Sequence, residues 1–310
     1  MLRALVQCSG GLALFLWGLQ KIKSDFKSSL SSKVQKIVAL LTFNFATAVL
    51  TGLFITMLMQ SSSAAIIIII ALVNLNLLDF RQALGIIVGA NIGTTVTVQL
   101  LSFDLANHLG FFFGAAFFFY LVDYFSSWRF SKYLAQGLIA FSAILLGLEF
   151  LSSSLYILKD SIFFIDLITY LSHHPLLALI VGLIVTAIVQ SSSALTALVV
   201  ALAKQNLITL EAAIALALGS NIGTCVTAFF ASLGGRDGAR LTAWSHLYFN
   251  LIGVLIFIPL LPYFVQGIEY FSSDLSRQIA NAHTSFNLLT AGVIFLVRQQ
   301  LIDFISRFHN

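Results

Sequence analysis

The chain has 310 residues, of which 59% are apolar and 9% are charged, whereas soluble globular domains have roughly 45–50% apolar and about 25% charged residues. This composition excludes a water-soluble fold. With 16 Lys and Arg against 12 Asp and Glu, the net charge is +4, and no basic tail or stripe indicates a nucleic-acid partner. Two cysteines lie in separate apolar segments, so they support neither a disulfide framework nor a metal site.

Apolar stretches of the length that a membrane-crossing helix needs follow one another along the chain. They are residues 4–20, 37–78, 82–103, 176–203, 212–235 and 278–297, the last interrupted by a polar turn that we predict at His283–Asn287. The scarcity of proline and the lack of alternating polar and apolar residues favour helices over a β-barrel. We therefore predict an all-α, polytopic protein in contact with membrane lipid. We expect its first helix to be retained, because no cleavage signal follows it.

The sequence contains an internal duplication. A shift of 130 positions superposes residues 52–97 on 182–227 with 20 identities in 46 positions. The identities are concentrated in two polar motifs, Gln-Ser-Ser-Ser-Ala and Gly-x-Asn-Ile-Gly-Thr, each of which occurs twice. We therefore predict two repeats, residues 1–128 and 129–310, that form one transmembrane transport unit.

Positive charges predict how the repeats are oriented, because cytoplasmic loops gather Lys and Arg. The richest loop is Lys21–Lys36. We assume that this loop is cytoplasmic, and that residues of about 42–79 and 176–210 form hairpins that enter the membrane and return to the same side. The chain then crosses the membrane seven times, and 12 of the 16 basic residues lie on the cytoplasmic side. The second hairpin then enters from the opposite face, which gives the inverted repeat of secondary transporters.

Each Gln-Ser-Ser-Ser motif interrupts an apolar run, where an unpaired hydroxyl or amide costs several kcal/mol. Serine clusters loosen a helix, so we predict a break and a helix that restarts at Ala64 in one repeat and Ala194 in the other. The free N–H groups and positive dipole of such a helix attract an anion. The asparagines and threonines of the second motif, with the unwound carbonyls expected beside them, are oxygen ligands suited to an alkali cation.

The motifs contain no Lys or Arg, so a bound anion needs cations beside it to neutralise its charge. Coupled transport is therefore predicted, without catalysis. Lys204, the basic residue nearest to Ser193 in sequence, is expected near a hairpin base. Small polar residues also serve helix packing, and for a single motif that interpretation stays open. His246 and His283 begin matching His-x-x-Phe-Asn strings, which fit an interfacial packing turn better than a proton relay.

With both motifs duplicated, nearly the whole chain resembles the type II sodium/phosphate cotransporter family. The likeness includes a basic loop at Gly234-Gly235-Arg236 and the string His246–Asn250. It implies a multi-pass carrier of the cell inner membrane that moves inorganic phosphate, with sodium as the coupling ion and no other cofactor. The alternatives are a carrier of sulfate, arsenate or a dicarboxylate, a phosphate exporter and, remotely, an intramembrane serine hydrolase.

The resemblance also implies which residues bind each ion. Phosphate is expected at the serines of both Gln-Ser-Ser-Ser motifs, and sodium mainly at second-repeat residues. The expected phosphate ligands are Ser62, Ser63, Ser192 and Ser193; the expected sodium ligands are Gln190, Ser191, Ser220, Thr224 and Thr227; and Gln60, Ser61, Asn91, Thr94 and Asn221 suit either ion.

Three features depart from the family pattern. The string at His108 lacks its Asn, Cys225 stands where the first repeat has Thr95, and no long tail follows Phe308. Many bacterial members carry a C-terminal domain that resembles a phosphate-regulatory protein, so any such control is expected here from a separate protein. The oligomeric state and the direction of flux are left open.

Overall fold

The computed structural model describes residues 2–29, 38, 40–126, 128 and 130–309. This part of the chain is helical and contains no strand, which confirms the predicted all-α class. A short 3-10 helix, Leu105–His108, precedes the fifth α-helix. The α-helices are α1 (Leu2–Ser29), α2 (Phe45–Met59), α3 (Ser62–Asn74), α4 (Phe80–Ser102), α5 (Leu109–Phe125), α6 (Phe130–Leu158), α7 (Ile162–His173), α8 (Pro175–Val189), α9 (Ser192–Lys204), α10 (Leu210–Gly223), α11 (Cys225–Ser232), α12 (Asp237–Phe257), α13 (Leu261–Glu269) and α14 (Leu275–His309).

Several helices have the length and composition of membrane spans. Among the described residues there are five such stretches, or up to seven if each of two bent helix pairs is one span. α7 and α8 meet at 113°, and α12 and α13 meet at 85°. In both pairs a proline stands in the first turn of the second helix, where its fixed φ and missing N–H start a helix but do not continue one. The chain is therefore a multi-pass membrane protein.

α1 extends beyond the apolar run that predicted it. The run ends at Gln20, yet the helix continues to Ser29. Lys and Gln are good helix formers, so a helix can continue past the hydrophobic stretch into a charged segment. The prediction that a loop begins at Lys21 is therefore wrong. Lys33, Lys36 and Arg129, which entered the charge count, lie outside the described residues.

α2 and α3 form the first predicted hairpin. Gly89 in α4 packs against Val49 in α2. Two turns further along α4, Thr97 donates a hydrogen bond to Gln60, the residue that follows α2. α2 and α4 therefore run in parallel. α3 then ends at Asn74, a short loop before α4 begins, so the hairpin enters and leaves on the same face.

α8 and α9 repeat this arrangement. Gly219 and Gly223 in α10 pack against Leu179 and Leu183 in α8, so these helices also run in parallel. α9 ends at Lys204, again a short loop before the next helix. The second hairpin therefore also returns to its own face.

The two hairpins open at opposite ends of α4. The first opens at the Phe80 end, where the loop from Asn74 begins. The base of the second is at the Ser102 end, because Lys204 Nζ lies 3.6 Å from Asp104 Oδ1. α4 has 23 residues, about 34 Å at 1.5 Å per residue, which spans a hydrocarbon core of about 30 Å. The hairpins thus enter from opposite faces, as the inverted repeat predicted.

Candidate functional site

Each Gln-Ser-Ser-Ser motif forms the predicted break between two helices. Gln60 has φ 51° and ψ 32°, and Gln190 has φ 56° and ψ 29°, the left-handed conformation that ends many helices. The following residues, Ser61 and Ser191, cap the next helix, because the Oγ of each accepts a hydrogen bond of 3.3 Å from the N–H three residues on. Each break therefore places the end of one helix beside the start of another, inside the membrane.

The helices restart two residues earlier than predicted. α3 begins at Ser62 and α9 at Ser192, not at Ala64 and Ala194. Serine is a preferred N-cap residue, so the first serine of each motif ends the break and the other two form the first helical turn. The first N–H groups of a helix have no intrahelical partner. The four predicted phosphate ligands therefore lie where backbone donors are available to an anion.

These four serines differ in exposure, but none of their hydroxyls forms a hydrogen bond with another described residue. Ser62 is 6% exposed and Ser193 is 7% exposed, whereas Ser63 and Ser192 are half-buried. Among the described serines of the two motifs, only the side chains of Ser61 and Ser191 form hydrogen bonds. The hydroxyls of the other four are available to a ligand.

The asparagine motif stays helical in the first repeat and is interrupted at one residue in the second, contrary to the prediction of unwound carbonyls. In α4, Asn91 Nδ2 donates to Ile87 O at 2.9 Å and Thr94 Oγ1 donates to the carbonyl four residues earlier at 3.0 Å. Side chains that bond to their own helix need no unwound backbone. In the second repeat the helix is interrupted at one residue, Thr224, whose Oγ1 donates to Asn221 O at 2.7 Å.

Side-chain hydrogen bonds join each hairpin to the helix that carries the asparagine motif of the same repeat. In the first, Thr97 Oγ1 donates to Gln60 Oε1 at 2.5 Å. In the second, Thr186 Oγ1 donates to Ser220 Oγ at 2.9 Å, and both residues are buried. Thr186 was not among the predicted site residues. Its identity with Thr56, 130 positions earlier, was the available signal.

The helices that follow the breaks also pack across the repeats. α9, from the second repeat, contacts α4 of the first, and α3 contacts α11 of the second. α9 therefore lies against the helix that carries the first asparagine motif, and α3 lies against the helix that follows the second. The part of the protein where these helices pack across the repeats, with the two Gln-Ser-Ser-Ser and two asparagine motifs, is called the four-motif region.

The predicted sodium ligands separate into two groups. Ser220 and Thr224 are buried, one turn apart, at 2% and 3% exposure. Thr227 is half-buried, and its Oγ1 donates to Thr224 O at 2.7 Å. Gln190 is exposed at the break and Ser191 is half-buried. The structure thus brings Ser220, Thr224 and Thr227 together along α10 and α11. Gln190 and Ser191 lie apart from them, at the break between α8 and α9.

His246 and His283 lie within helices, so the prediction of a packing turn is wrong. α12 and α14 continue through both strings. In each string the asparagine amide donates to the histidine carbonyl four residues earlier, Asn250 at 3.0 Å and Asn287 at 2.8 Å. The asparagines therefore bond to their own helix as Asn91 does, which keeps the polar string helical.

A cluster of unpaired polar atoms surrounds these histidines. Of the nine buried side-chain N and O atoms without a hydrogen-bond partner in the described part of the chain, seven are Asn221 Nδ2, His246 Nδ1, His246 Nε2, Asn250 Oδ1, His283 Nδ1, Asn287 Oδ1 and Thr290 Oγ1. His283 Nε2 lies 3.3 Å from Asn221 Oδ1, which connects the cluster to the second asparagine motif. An unsatisfied buried polar group costs about 1–3 kcal/mol, so packing stability does not explain these residues. Intramembrane polar groups of this kind mark transport paths.

The same atoms bear on the hydrolase alternative. A serine nucleophile needs a histidine within hydrogen-bond reach. Both ring nitrogens of His246 are unpaired, and His283 bonds to Asn221, not to a serine. The described residues therefore contain no serine–histidine pair.

Together these features define a membrane carrier, in which two inverted hairpins bring uncharged hydroxyls, amides and helix ends to the interior. The chain belongs to the Na+/Pi-cotransporter family, whose model matches residues 14–153 and 163–298. This is a family of transporters, so the class is established together with the predicted family.

Similar proteins are found in bacteria and mammals. The uncharacterized protein YqeW of Bacillus subtilis is 30% identical over 293 residues, which cover 94% of each chain. YjbB of Escherichia coli, whose name proposes inorganic phosphate export, is 24% identical over 98% of this chain and 55% of its own. The sodium-dependent phosphate transport protein 2A of Rattus norvegicus is 39% identical over 96 residues, 30% of this chain and 15% of that protein. No solved structure matches the chain.

Proposed function

We propose that this protein carries inorganic phosphate across the cell inner membrane together with sodium, by alternating access to the four-motif region. The observation that carries the proposal is the pair of helix starts, at Ser62 and Ser192, that enter this region from opposite faces. Each supplies N–H groups, free hydroxyls and a positive dipole end to an anion. Membership of the Na+/Pi-cotransporter family supports phosphate as that anion.

Sodium is proposed as the counter-charge because the motifs contain no basic side chain. An anion in a dry, uncharged site bears a desolvation cost that a neighbouring cation offsets. Ser220, Thr224 and Thr227 supply hydroxyls for that cation, beside the helix interruption at Thr224. Phosphate and sodium therefore enter the site together, and symport follows from the electrostatics.

The remaining predicted residues have positioning roles in this proposal. Ser61 and Ser191 cap the helices that face phosphate, and Gln60 holds the first break against α4. Asn91 and Thr94 are buried on α4, and both bond to their own helix. We therefore expect substitutions at Gln60 and Ser61 to distort the break, and substitutions at Asn91 and Thr94 to act through packing.

Phosphate export is a second candidate for the direction of flux. It is favoured by the likeness to YjbB, which covers 98% of this chain. The site chemistry is the same in both cases, because the sodium and phosphate gradients decide the direction. A reversible carrier should release labelled phosphate from loaded proteoliposomes when sodium is high inside, and take it up into empty ones when sodium is high outside. Release without uptake would favour export.

The test of transport is radiolabelled phosphate uptake into proteoliposomes under inward gradients of sodium, lithium, potassium or protons. We expect uptake with sodium, and competition by unlabelled phosphate but not by sulfate or a dicarboxylate. The double variant Ser62→Ala/Ser192→Ala is expected to lose most uptake. Ser154→Ala is the matched control, because Ser154 is buried in α6 and bonds to its own helix.

Two outcomes contradict the proposal. Normal uptake by the correctly inserted double variant would remove the serines from the phosphate site. Uptake driven only by protons would reassign the coupling ion and direct attention to the cluster around His246 and His283.

A further inference from the structure

Two contacts at the hairpin bases are equivalent under the 130-residue repeat. Asn74 is the last residue of α3, and Lys204, 130 positions later, is the last residue of α9. Each contacts the loop that follows the asparagine-motif helices of the other repeat. Those helices end at Ser102 and Ser232, which are also 130 positions apart.

The α9 latch is the ion pair between Lys204 and Asp104. The Nζ and Oδ1 atoms are 3.6 Å apart, and the two side chains are 18% and 69% exposed. Gln205, the next residue, donates from Nε2 to Ser152 Oγ in α6 at 2.8 Å. The ion pair thus holds the base of the second hairpin to the first repeat. The bond to Ser152 stays within the second repeat.

The α3 latch is the hydrogen bond from the Arg236 N–H to Asn74 Oδ1, at 2.9 Å. A Cβ at Gly235 would lie 3.0 Å from that Oδ1, and one at Gly238 would lie 2.9 Å from Val73 Cγ1. Glycine at both positions therefore allows the loop to approach the base of the first hairpin closely.

The two latches lie at opposite ends of α4, and each borders a surface cavity. The cavity of about 490 Å³ at the Ser102 end is lined by Asp104, Lys204 and Ser276. The cavity of about 440 Å³ at the other end is lined by Phe80, Leu78 and Arg236. Both latches are closed in this structure, so both hairpin bases are held against the other repeat.

We propose that these latches are the two gates of alternating access, and that opening one exposes the interior to one face while the other stays closed. Asp104, Lys204 and Asn74 are then gating residues that position the hairpins without touching the cargo. The weak exposed ion pair and the single hydrogen bond are suited to this role, because contacts of this strength shift a two-state equilibrium without fixing it. The inference rests on the proposed function, because gates matter only in a carrier. The opening of each latch can nevertheless be tested without measuring transport.

The test measures cysteine accessibility in reconstituted protein. In a background with Cys8→Ala and Cys225→Thr, one reporter is Ser276→Cys and the other is Leu78→Cys, which line the two cavities. A membrane-impermeant maleimide is added to either side, and labelling rates are compared with and without a latch substitution.

We expect opposite responses at the two ends. Asp104→Asn should raise labelling of Ser276→Cys by roughly 1.5- to 5-fold, the range for loss of an exposed ion pair, and leave Leu78→Cys unchanged or slower. Asn74→Ala should raise labelling of Leu78→Cys by roughly 2- to 10-fold, the range for one lost hydrogen bond, and spare Ser276→Cys. The reporters should react from opposite sides of the membrane.

Controls separate gating from general loosening. The exchanged pair Lys204→Asp/Asp104→Lys should restore slow labelling, and Asn74→Asp, which keeps an acceptor oxygen, should resemble the parent. Arg240→Gln, which removes an ion pair within the first turn of α12, should change neither rate.

The proposal fails if both reporters accelerate together or if neither responds. If labelling follows the prediction but no phosphate is taken up, the proposed function fails and the gates stand. If phosphate uptake is normal and labelling does not follow the latches, the gates fail and the proposed function stands.

Discussion

The packing of α2 on α4, and of α8 on α10, predicts severe effects from adding one methyl group. A Cβ at Gly89 would overlap the carbonyl oxygen of Val49 and lie 2.7 Å from Leu53 N. A Cβ at Gly219 would likewise overlap the carbonyl oxygen of Leu179. Both obstacles are backbone atoms of a neighbouring helix, so no side-chain rotation relieves them, and the helix pair must separate.

The destabilisation from the added methyl group can be compared with the usual stabilisation of a helix when Ala replaces Gly. In an open helix, Gly→Ala is favourable by about 1 kcal/mol. Overpacking a tight contact costs about 1–3 kcal/mol, and the contact here is to rigid backbone. We therefore expect Gly89→Ala and Gly219→Ala each to destabilise by roughly 1–3 kcal/mol. Gln60 lies beyond α2 and bonds to α4, so the displacement should also distort the break.

The assay is the apparent melting temperature of the detergent-solubilised protein, followed by size-exclusion chromatography, with sodium-driven phosphate uptake measured in parallel. Gly114→Ala is the matched control, because a Cβ there meets no atom within 4 Å. It should melt at the parent temperature or slightly higher. Equal melting temperatures for Gly89→Ala and Gly114→Ala would refute the close packing of α2 on α4.

Three further substitutions test individual hydrogen bonds. Ser61→Ala removes the cap of α3 and should lower stability by about 1 kcal/mol, seen as earlier melting, whereas Ser61→Asn, which can also cap, should not. Thr186→Val removes the donor to buried Ser220 and should raise the sodium concentration for half-maximal uptake, while Thr186→Ser should retain the parent value. Arg277→Lys keeps the charge but loses the planar guanidinium that donates to both Gln99 and Ser102 and stacks on Phe103. It should lower the maximal uptake rate about as much as Arg277→Gln; full activity in the Lys variant would show that charge alone matters.

The sequence predicted the large-scale arrangement because membrane folding depends on features that are written locally. Apolar runs, the duplicated motifs and the distribution of basic residues were sufficient for the helices, the hairpins and their inversion. Lys204 was expected near a hairpin base, and it is the last residue of α9, paired with Asp104. These features depend on hydrophobic length and chain order, which a single sequence contains.

The errors arose where side chains satisfy themselves within a helix. Asn91, Asn250 and Asn287 each donate to the carbonyl four residues earlier, so segments that look polar enough to unwind stay helical. The early restart at Ser62 has a related cause, because only one serine is needed as a cap. Contacts between distant residues, such as Arg277 with Gln99, leave no pattern in the sequence of a single protein. Thr186 was marked only by its identity with Thr56, which does not name Ser220 as its partner.

The difference between the two repeats leads to a last prediction, for Ala90→Ser. Thr186 donates to Ser220 in the second repeat, and the equivalent residues of the first repeat are Thr56 and Ala90. The buried Oγ1 of Thr56 has no partner among the described residues.

The glycines beside both positions pack in the same way, Gly89 on Val49 and Gly219 on Leu179, so the backbone spacing is shared. A serine at residue 90 should therefore accept from Thr56 and stabilise the protein by about 0.5–1.5 kcal/mol, measured as later melting. Ala90→Cys is the control, since its thiol has nearly the same size and is a weak acceptor. If the serine and cysteine variants melt alike, the missing hydroxyl does not distinguish the repeats; if only the serine variant is stabilised, sodium dependence of uptake in that variant shows whether the hydroxyl pair also creates a cation ligand.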